Sequence, residues 1–242
     1  MINVFVLKTT LKAYLALITL LGVILYNDLT LLIVLQNTVI FLIISILIFY
    51  IFNYFKENIF AYASFITYLR IVISIILLSI SFNALTDQNI FNKFYLEDYF
   101  AILALIALCL DGIDGYLARR FNEQCNFGEV FDQDADTLLI LTLCTSLYLN
   151  KDTSVIVFLI PFYRYIFLVF MMKYKWMKRK LPRSYYRKLS CVLSTFILIF
   201  CHSQYVKDTL LVFFVMISLF VITFSFAKDI LWLYMRKEDE YI

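Results

Sequence analysis

Residues 99–150 read YFAILALIALCL (99–110), DGIDGYLARRFNEQCNFGEVFDQDAD (111–136) and TLLILTLCTSLYLN (137–150). An apolar run long enough to cross a bilayer leads into an acid-rich stretch, and a second apolar run leads out of it. Two antiparallel membrane helices joined by a short polar turn are the simplest fold for such a pattern. Asp111 and Asp114 stand three residues apart and Asp132 and Asp136 four apart, so each pair shares a helix face. The turn brings the two faces together. Four carboxylates facing one another in or near lipid are prohibitively costly unless a cation sits between them. Hard oxygen ligands of this kind suit Mg²⁺ or Mn²⁺ rather than zinc. Two such ions would clamp a transferring phosphoryl group and activate an attacking oxygen.

The rest of the 242-residue chain supports a membrane reading. It is 63 % hydrophobic and 19 % aromatic, and its 16 % charged residues fall well below the share in soluble domains. Only helices or closed barrels satisfy backbone groups in lipid, and alternating ten-residue strands are absent, so the expected class is all-α and polytopic. Eight spans are predicted, near Leu11–Tyr26, Leu29–Tyr54, Ile66–Phe82, Tyr99–Leu117, Val130–Leu149, Ser154–Met172, Leu189–His202 and Leu210–Met235. The first is short, but no small-residue cleavage site follows it and another apolar run begins at once. A retained span is therefore expected rather than a cleaved signal.

Between Asn53 and Phe65 apolarity drops and the pattern turns amphipathic, as in a segment lying along the membrane interface. It divides an N-terminal two-helix unit, residues 1–55, from a six-helix unit, residues 56–242, that carries the chemistry. Basic residues gather on one set of loops: Lys8 and Lys12, then Lys56, Arg119 and Arg120, and finally the acid-free run from Lys173 to Lys188. The alternate loops are neutral or acidic. By the positive-inside rule both termini and the acidic stretch belong on the cytoplasmic side, in the cell's inner membrane. No nucleic-acid partner is expected.

Cysteine and histidine chemistry is excluded from a central role. The five cysteines are scattered with no CxxC spacing, and His202 is the sole histidine. Glycine is the more telling residue. The chain has four, and Gly112, Gly115 and Gly128 fall inside the acidic stretch. With Ala118 they strip side chains from a helix face and admit a flat group such as a nucleobase or a diphosphate. Close helix packing is the competing use of such residues.

The stretch resembles the signature of the CDP-alcohol phosphatidyltransferases, D-x-x-D-G-x-x-A-R-(x8)-G-x-x-x-D-x-x-x-D, at all eight fixed positions. At an average usage of about 5 % per residue, eight matches have a chance of about 10⁻¹⁰ per start position. The six spans after Ile66 fit that family's six-helix core, and Thr67 and Arg70 resemble the Thr and Arg that open its first core helix. Residues 1–55 lie outside the shared core. The resemblance implies that an acceptor hydroxyl attacks the lipid-side phosphorus of a CDP-linked lipid, usually CDP-diacylglycerol, and that CMP leaves. Asp111, Asp114, Asp132 and Asp136 would hold two divalent cations, with Asp136 also the general base. Gly115, Ala118, Arg119 and Gly128, with Thr67, would form the cytidine and diphosphate site. Homodimerisation is also implied.

Further charges concern the acceptor, an alcohol or sugar phosphate. Arg164 lies about 12 Å inside the sixth span at 1.5 Å per residue. An intramembrane arginine of this kind is expected to partner an anionic acceptor or the diphosphate, with snorkelling as the alternative. Arg70, Arg187 and Lys188 are weaker candidates for the same phosphate-binding role. The basic run that includes the last two also serves topology and anionic headgroups. The glycerophosphate-using branch of the family resembles the Arg164 region, but it usually has Arg-Glu there and Lys after its fourth acid. This chain has Tyr165 and Thr137. Asp134, two residues from Asp132, points away from the shared face. Glu123 and Glu129 are expected to be solvated.

Other classes fit less of the pattern. A UbiA-like Mg-dependent prenyltransferase needs two Asp-rich motifs far apart, and one cluster is present. A transporter would use buried carboxylates but leave the spacer, the glycines and Arg119 without a purpose. A non-catalytic scaffold has no need of the complete acid set.

Overall fold

The structure is a computed structural model that describes residues 4–24, 31–55, 62–86, 93–121, 125–178 and 185–236. Among them are eight α-helices: α1 (Val4–Ile24), α2 (Leu31–Phe55), α3 (Tyr62–Thr86), α4 (Lys93–Arg120), α5 (Asn126–Asn150), α6 (Leu159–Lys173), α7 (Tyr185–Phe200) and α8 (Asp208–Met235). A 3₁₀ turn, Val155–Phe158, leads into α6, and a second, Lys175–Lys178, follows it. No strand occurs among the described residues. The protein is an all-α, multi-pass membrane protein.

Six helical segments are long and apolar enough to cross a membrane, α6 only together with the 3₁₀ turn before it, as Val155–Lys173. The other two, α5 and α7, depart from that standard for visible reasons. Glu129, Asp132, Asp134 and Asp136 crowd the first half of α5, and α7 has only 16 residues. The eight predicted spans each fall on one helix, with ends that differ by a few residues. α4 shows the largest change, because its 28 residues begin at Lys93 and give it a length of about 42 Å. It outreaches the roughly 30 Å hydrocarbon layer, which leaves its last turns, with their acids and arginines, room to reach the interface. The middle of the amphipathic segment expected at 53–65, residues 56–61, lies outside the described residues. Its flanks belong to α2 and α3.

α3 is the centre of the bundle. Of its membrane window 72 % is buried, against 17–28 % for the other five candidate spans. It packs against α4, α5, α1 and α2. Small polar residues allow that density, because they let helix backbones approach closely and offer hydrogen bonds in a medium without water. The Thr142 hydroxyl of α5 donates to the Ser74 carbonyl at 3.5 Å, and the Asn37 amide of α2 donates to the Ser79 hydroxyl at 2.9 Å. α7 and α8 pair in the same way. Ser194 and Ser218 exchange hydroxyl-to-carbonyl bonds at 3.4 and 3.5 Å, and the Ser190 hydroxyl donates to Ser225 at 2.9 Å. The outward faces carry Leu, Ile, Val and Phe, among them Leu32, Leu35, Ile46 and Phe220, as a lipid-facing surface requires.

Candidate active site

The site is assembled where the end of α4 meets the start of α5. After Arg120 the chain turns, and α5 begins behind an unusual cap. Cys125 is extended (φ −139°, ψ 157°), and its sulfur accepts the Gly128 amide at 3.2 Å. The thiol thus takes the place a serine or aspartate hydroxyl or carboxylate oxygen fills at most helix starts. A Cβ on Gly128 would stand 3.2 Å from that sulfur, so glycine keeps the cap unstrained. Phe127 and Phe131 then anchor the first turns, stacking on each other and edge-on to Phe52 of α2 and Tyr68 of α3 respectively. With those rings inward, Asp132 and Asp136 face α3 and α4.

All four acids converge on one guanidinium. Arg70, on α3 and only 1 % exposed, places Nη1 3.2 Å from Asp111, 3.1 Å from Asp114 and 2.6 Å from Asp132. Its Nη2 bonds Asp136. One turn earlier on the same face of α3, the Thr67 hydroxyl donates to Asp114 at 3.1 Å. Thr67 and Arg70 were expected to meet the nucleotide and a phosphate, respectively. The structure places both against the acids, where they orient the carboxylates.

Electrostatically this cluster is overloaded. Four ionised carboxylates against one guanidinium would leave three negative charges uncompensated in a site where Asp111 and Asp114 are buried. The Nε of Arg70 is itself buried without a hydrogen-bond partner. Buried charge is tolerated only when paired and hydrogen-bonded, so the donor set asks for further positive charge. Asp111, Asp114 and Asp132 each offer a carboxylate oxygen within 4.8 Å of one another. An all-oxygen, mostly anionic set of this spacing fits a hard divalent cation. The guanidinium of Arg70 marks the same spot as one that attracts cations. Behind it, Leu108, Asp111, Asp136, Leu139, Cys191, Val192 and Thr195 enclose a cavity of about 10 Å³. That is roughly the room one water centre needs.

A second group of charges lies along α4. A Cβ on Gly115 would stand 3.5 Å from Nη1 of Arg119 and 3.9 Å from Nζ of Lys188, so a bare patch of helix is walled by two cations from α4 and α7. The sequence grouped Gly115 and Arg119 for a diphosphate, and the structure brings Lys188 to them. Ala118 lies on the same stretch, half-buried. Nothing stands within 4 Å of a Cβ on Gly112.

Two further arginines, Arg164 and Arg187, are paired with acids. Arg164 of α6 bonds Asp134 through Nη2 at 2.7 Å and the Thr137 hydroxyl through Nη1 at 3.1 Å. Arg187 of α7 reaches Asp229 of α8 at 3.5 Å. Sequence reasoning singled out both arginines and missed both partners. The sequence shows Asp134 only as pointing away from the cluster, and Asp229, next to Lys228 in the last part of α8, was not among the candidate residues. Cys191 and Thr195, beside the acids, were not among the candidate site residues. Glu129 is exposed, and Glu123 lies outside the described residues.

The sequence model of the CDP-alcohol phosphatidyltransferase family matches residues 60–228, more than half of the chain. The chain belongs to the CDP-alcohol phosphatidyltransferase family. Among curated relatives of this phosphatidyltransferase-family chain, the CDP-diacylglycerol–glycerol-3-phosphate 3-phosphatidyltransferase of Treponema pallidum is 34 % identical over 70 residues, which are 29 % of this chain and 32 % of the relative. The CDP-diacylglycerol–inositol 3-phosphatidyltransferase 1 of Arabidopsis thaliana is 36 % identical over 52 residues, 20 % and 23 % of the two chains. A glycerol-3-phosphate enzyme of Rickettsia typhi is 42 % identical over 52 residues, 22 % and 29 %. The chain thus spans less than a third of the length of the curated relatives it matches. No solved structure matches it.

Proposed function

We propose that this family member makes phospholipid by moving a phosphatidyl group from a CDP-linked lipid, such as CDP-diacylglycerol, to an alcohol acceptor. The observation that carries this reading is the convergence of Asp111, Asp114, Asp132 and Asp136 beside a glycine patch walled by Arg119 and Lys188. The acceptor oxygen attacks the lipid-side phosphorus, and a new P–O bond forms as the bond from phosphorus to the bridging oxygen breaks. CMP leaves with that electron pair. The acceptor proton passes to the Asp136 carboxylate.

Each part of the chain's own machinery has a defined task. Arg119 and Lys188 hold the diphosphate against Gly115 and Ala118, and Gly128 belongs to the same nucleotide site. Thr67 fixes Asp114, and Arg70 keeps the four carboxylates aimed at one point. Two divalent cations held by those carboxylates, Mg²⁺ or Mn²⁺, would neutralise the diphosphate and lower the pKa of the acceptor hydroxyl. Phosphoryl transfer depends mainly on positioning and charge neutralisation, so a site without histidine suffices.

The basic loops support a cytoplasmic site with both termini on that side. The family match beginning at residue 60 supports treating residues 1–55 as an addition to the core, and a homodimer is the assembly we expect. The test is CMP release by purified protein supplied with CDP-diacylglycerol, Mg²⁺ or Mn²⁺ and a panel of alcohols. Metal-dependent release with at least one acceptor is the expected result. A folded preparation that releases none with any acceptor refutes the proposal.

A further inference from the structure

We infer that Asp134 is a specificity-determining residue that turns the acceptor side of this site toward alcohols without a phosphate group. The inference rests on the transferase reading above. The decisive contact is the Arg164–Asp134 pair. Arg164 is the basic side chain that α6 presents to α5, and it meets α5 at Asp134 and Thr137, either side of Asp136. A phosphorylated acceptor reacting at Asp136 would look to this arginine for its phosphate. A phosphomonoester carries about two negative charges and is bound tightly by guanidinium groups with donors to spare. Here the guanidinium charge is already matched by a carboxylate at 2.7 Å on one terminal nitrogen, and the other terminal nitrogen gives a donor to a hydroxyl at 3.1 Å.

The pair is electrically neutral, and its acid is the more open partner. The Asp134 side chain is 35 % exposed against 20 % for Arg164. An incoming phosphate therefore meets a carboxylate before it meets a cation, and like charges brought together across a recognition surface oppose binding. Two other basic residues beside the site are paired with acids: Arg70 is enclosed by the four carboxylates and Arg187 faces Asp229. Arg119 and Lys188 stand at Gly115, where the transferase reading gives them to the diphosphate of the CDP-linked lipid. A neutral or zwitterionic alcohol needs none of them. Its hydroxyls can use Asp134 and Thr137 as acceptors and leave the ion pair intact.

Matched acceptors that differ only in a phosphate test this directly: glycerol with glycerol 3-phosphate, inositol with inositol 1-phosphate, and serine with phosphoserine. With the native protein, kcat/KM for CMP release is expected to favour the unphosphorylated member of the pair it uses by about tenfold or more. Asp134→Asn removes the competing charge and releases Arg164, which should move that ratio toward the phosphorylated member by about tenfold, chiefly through KM. Asp134→Glu should restore the native ratio. A purely structural role would lower both members of a pair together and leave the ratio unchanged, with a thermal midpoint in detergent reporting any loss of folding. A native preference for the phosphorylated member, or an unaltered ratio in Asp134→Asn, overturns the assignment while leaving the transferase reading intact. No CMP release with any of the six compounds overturns both.

Discussion

Two acid groups on one turn of α5 behave differently. Asp132 and Asp136 face inward and join Asp111 and Asp114 around a single guanidinium, whereas Asp134 faces α6 and has an arginine to itself. The first group carries three unmatched negative charges and the second none. A matched pair is complete as it stands and serves to join two helices. An unmatched cluster persists only when something outside the protein completes it. Imbalance, more than the number of acids, separates a site for chemistry from a structural link.

The largest effect should follow from removing a ligand from the unmatched side. Asp132→Asn or Asp136→Asn is expected to lower CMP release by about 10³-fold or more while expression is retained, since each loses charge that metal binding and proton transfer need. Activity within tenfold of native in either variant would break the contrast between the two groups. Next in size is Arg70→Ala, which leaves four acids with no protein cation. Stranding buried charge in this way costs about 3–5 kcal/mol. The expected outcome is a lower thermal midpoint in detergent that Mg²⁺ restores further than it does for native protein. A midpoint that ignores Mg²⁺ would show that the acids do not depend on an outside cation.

Gly115→Leu should come third. A side chain there fills the patch between Arg119 and Lys188, so KM for CDP-diacylglycerol should rise about tenfold with little change in melting. If kcat falls instead and KM holds, the patch does not bind the diphosphate. The smallest effect belongs to a matched pair. Arg187 and Asp229 are 3.5 Å apart, and Arg187 is 40 % exposed. Arg187→Gln should therefore cost no more than about 1 kcal/mol in unfolding measurements. A larger loss would mean that balanced pairs here do more than join helices.

The α4–turn–α5 unit was legible because everything it needs is local. Acid spacings of three and four set the faces, the apolar flanks set the helices, and 26 residues hold the whole pattern. Thr67 and Arg70 were found but assigned other partners. Their spacing puts them on one face of α3, yet only packing reveals that this face meets the acids, 41 to 66 residues away in sequence. Arg164 and Asp134 were both noticed and never joined, because nothing local says that α6 lies beside α5. Lys188 shows the same limit, since its place next to Gly115 depends on how α7 crosses α4.

The burial of α3 has a consequence for how the protein is made. Arg70 is synthesised 66 residues before Asp136, its last partner. At roughly 5–20 residues per second that is a wait of about 3–13 s. Asp111 and Asp114 arrive first, 41 and 44 residues after the arginine, so its counter-charge is assembled in stages. The helices already made when α3 appears are α1 and α2, and both pack against it in the finished bundle. The two N-terminal helices are thus in place to receive α3 while the other half of the site is still on the ribosome.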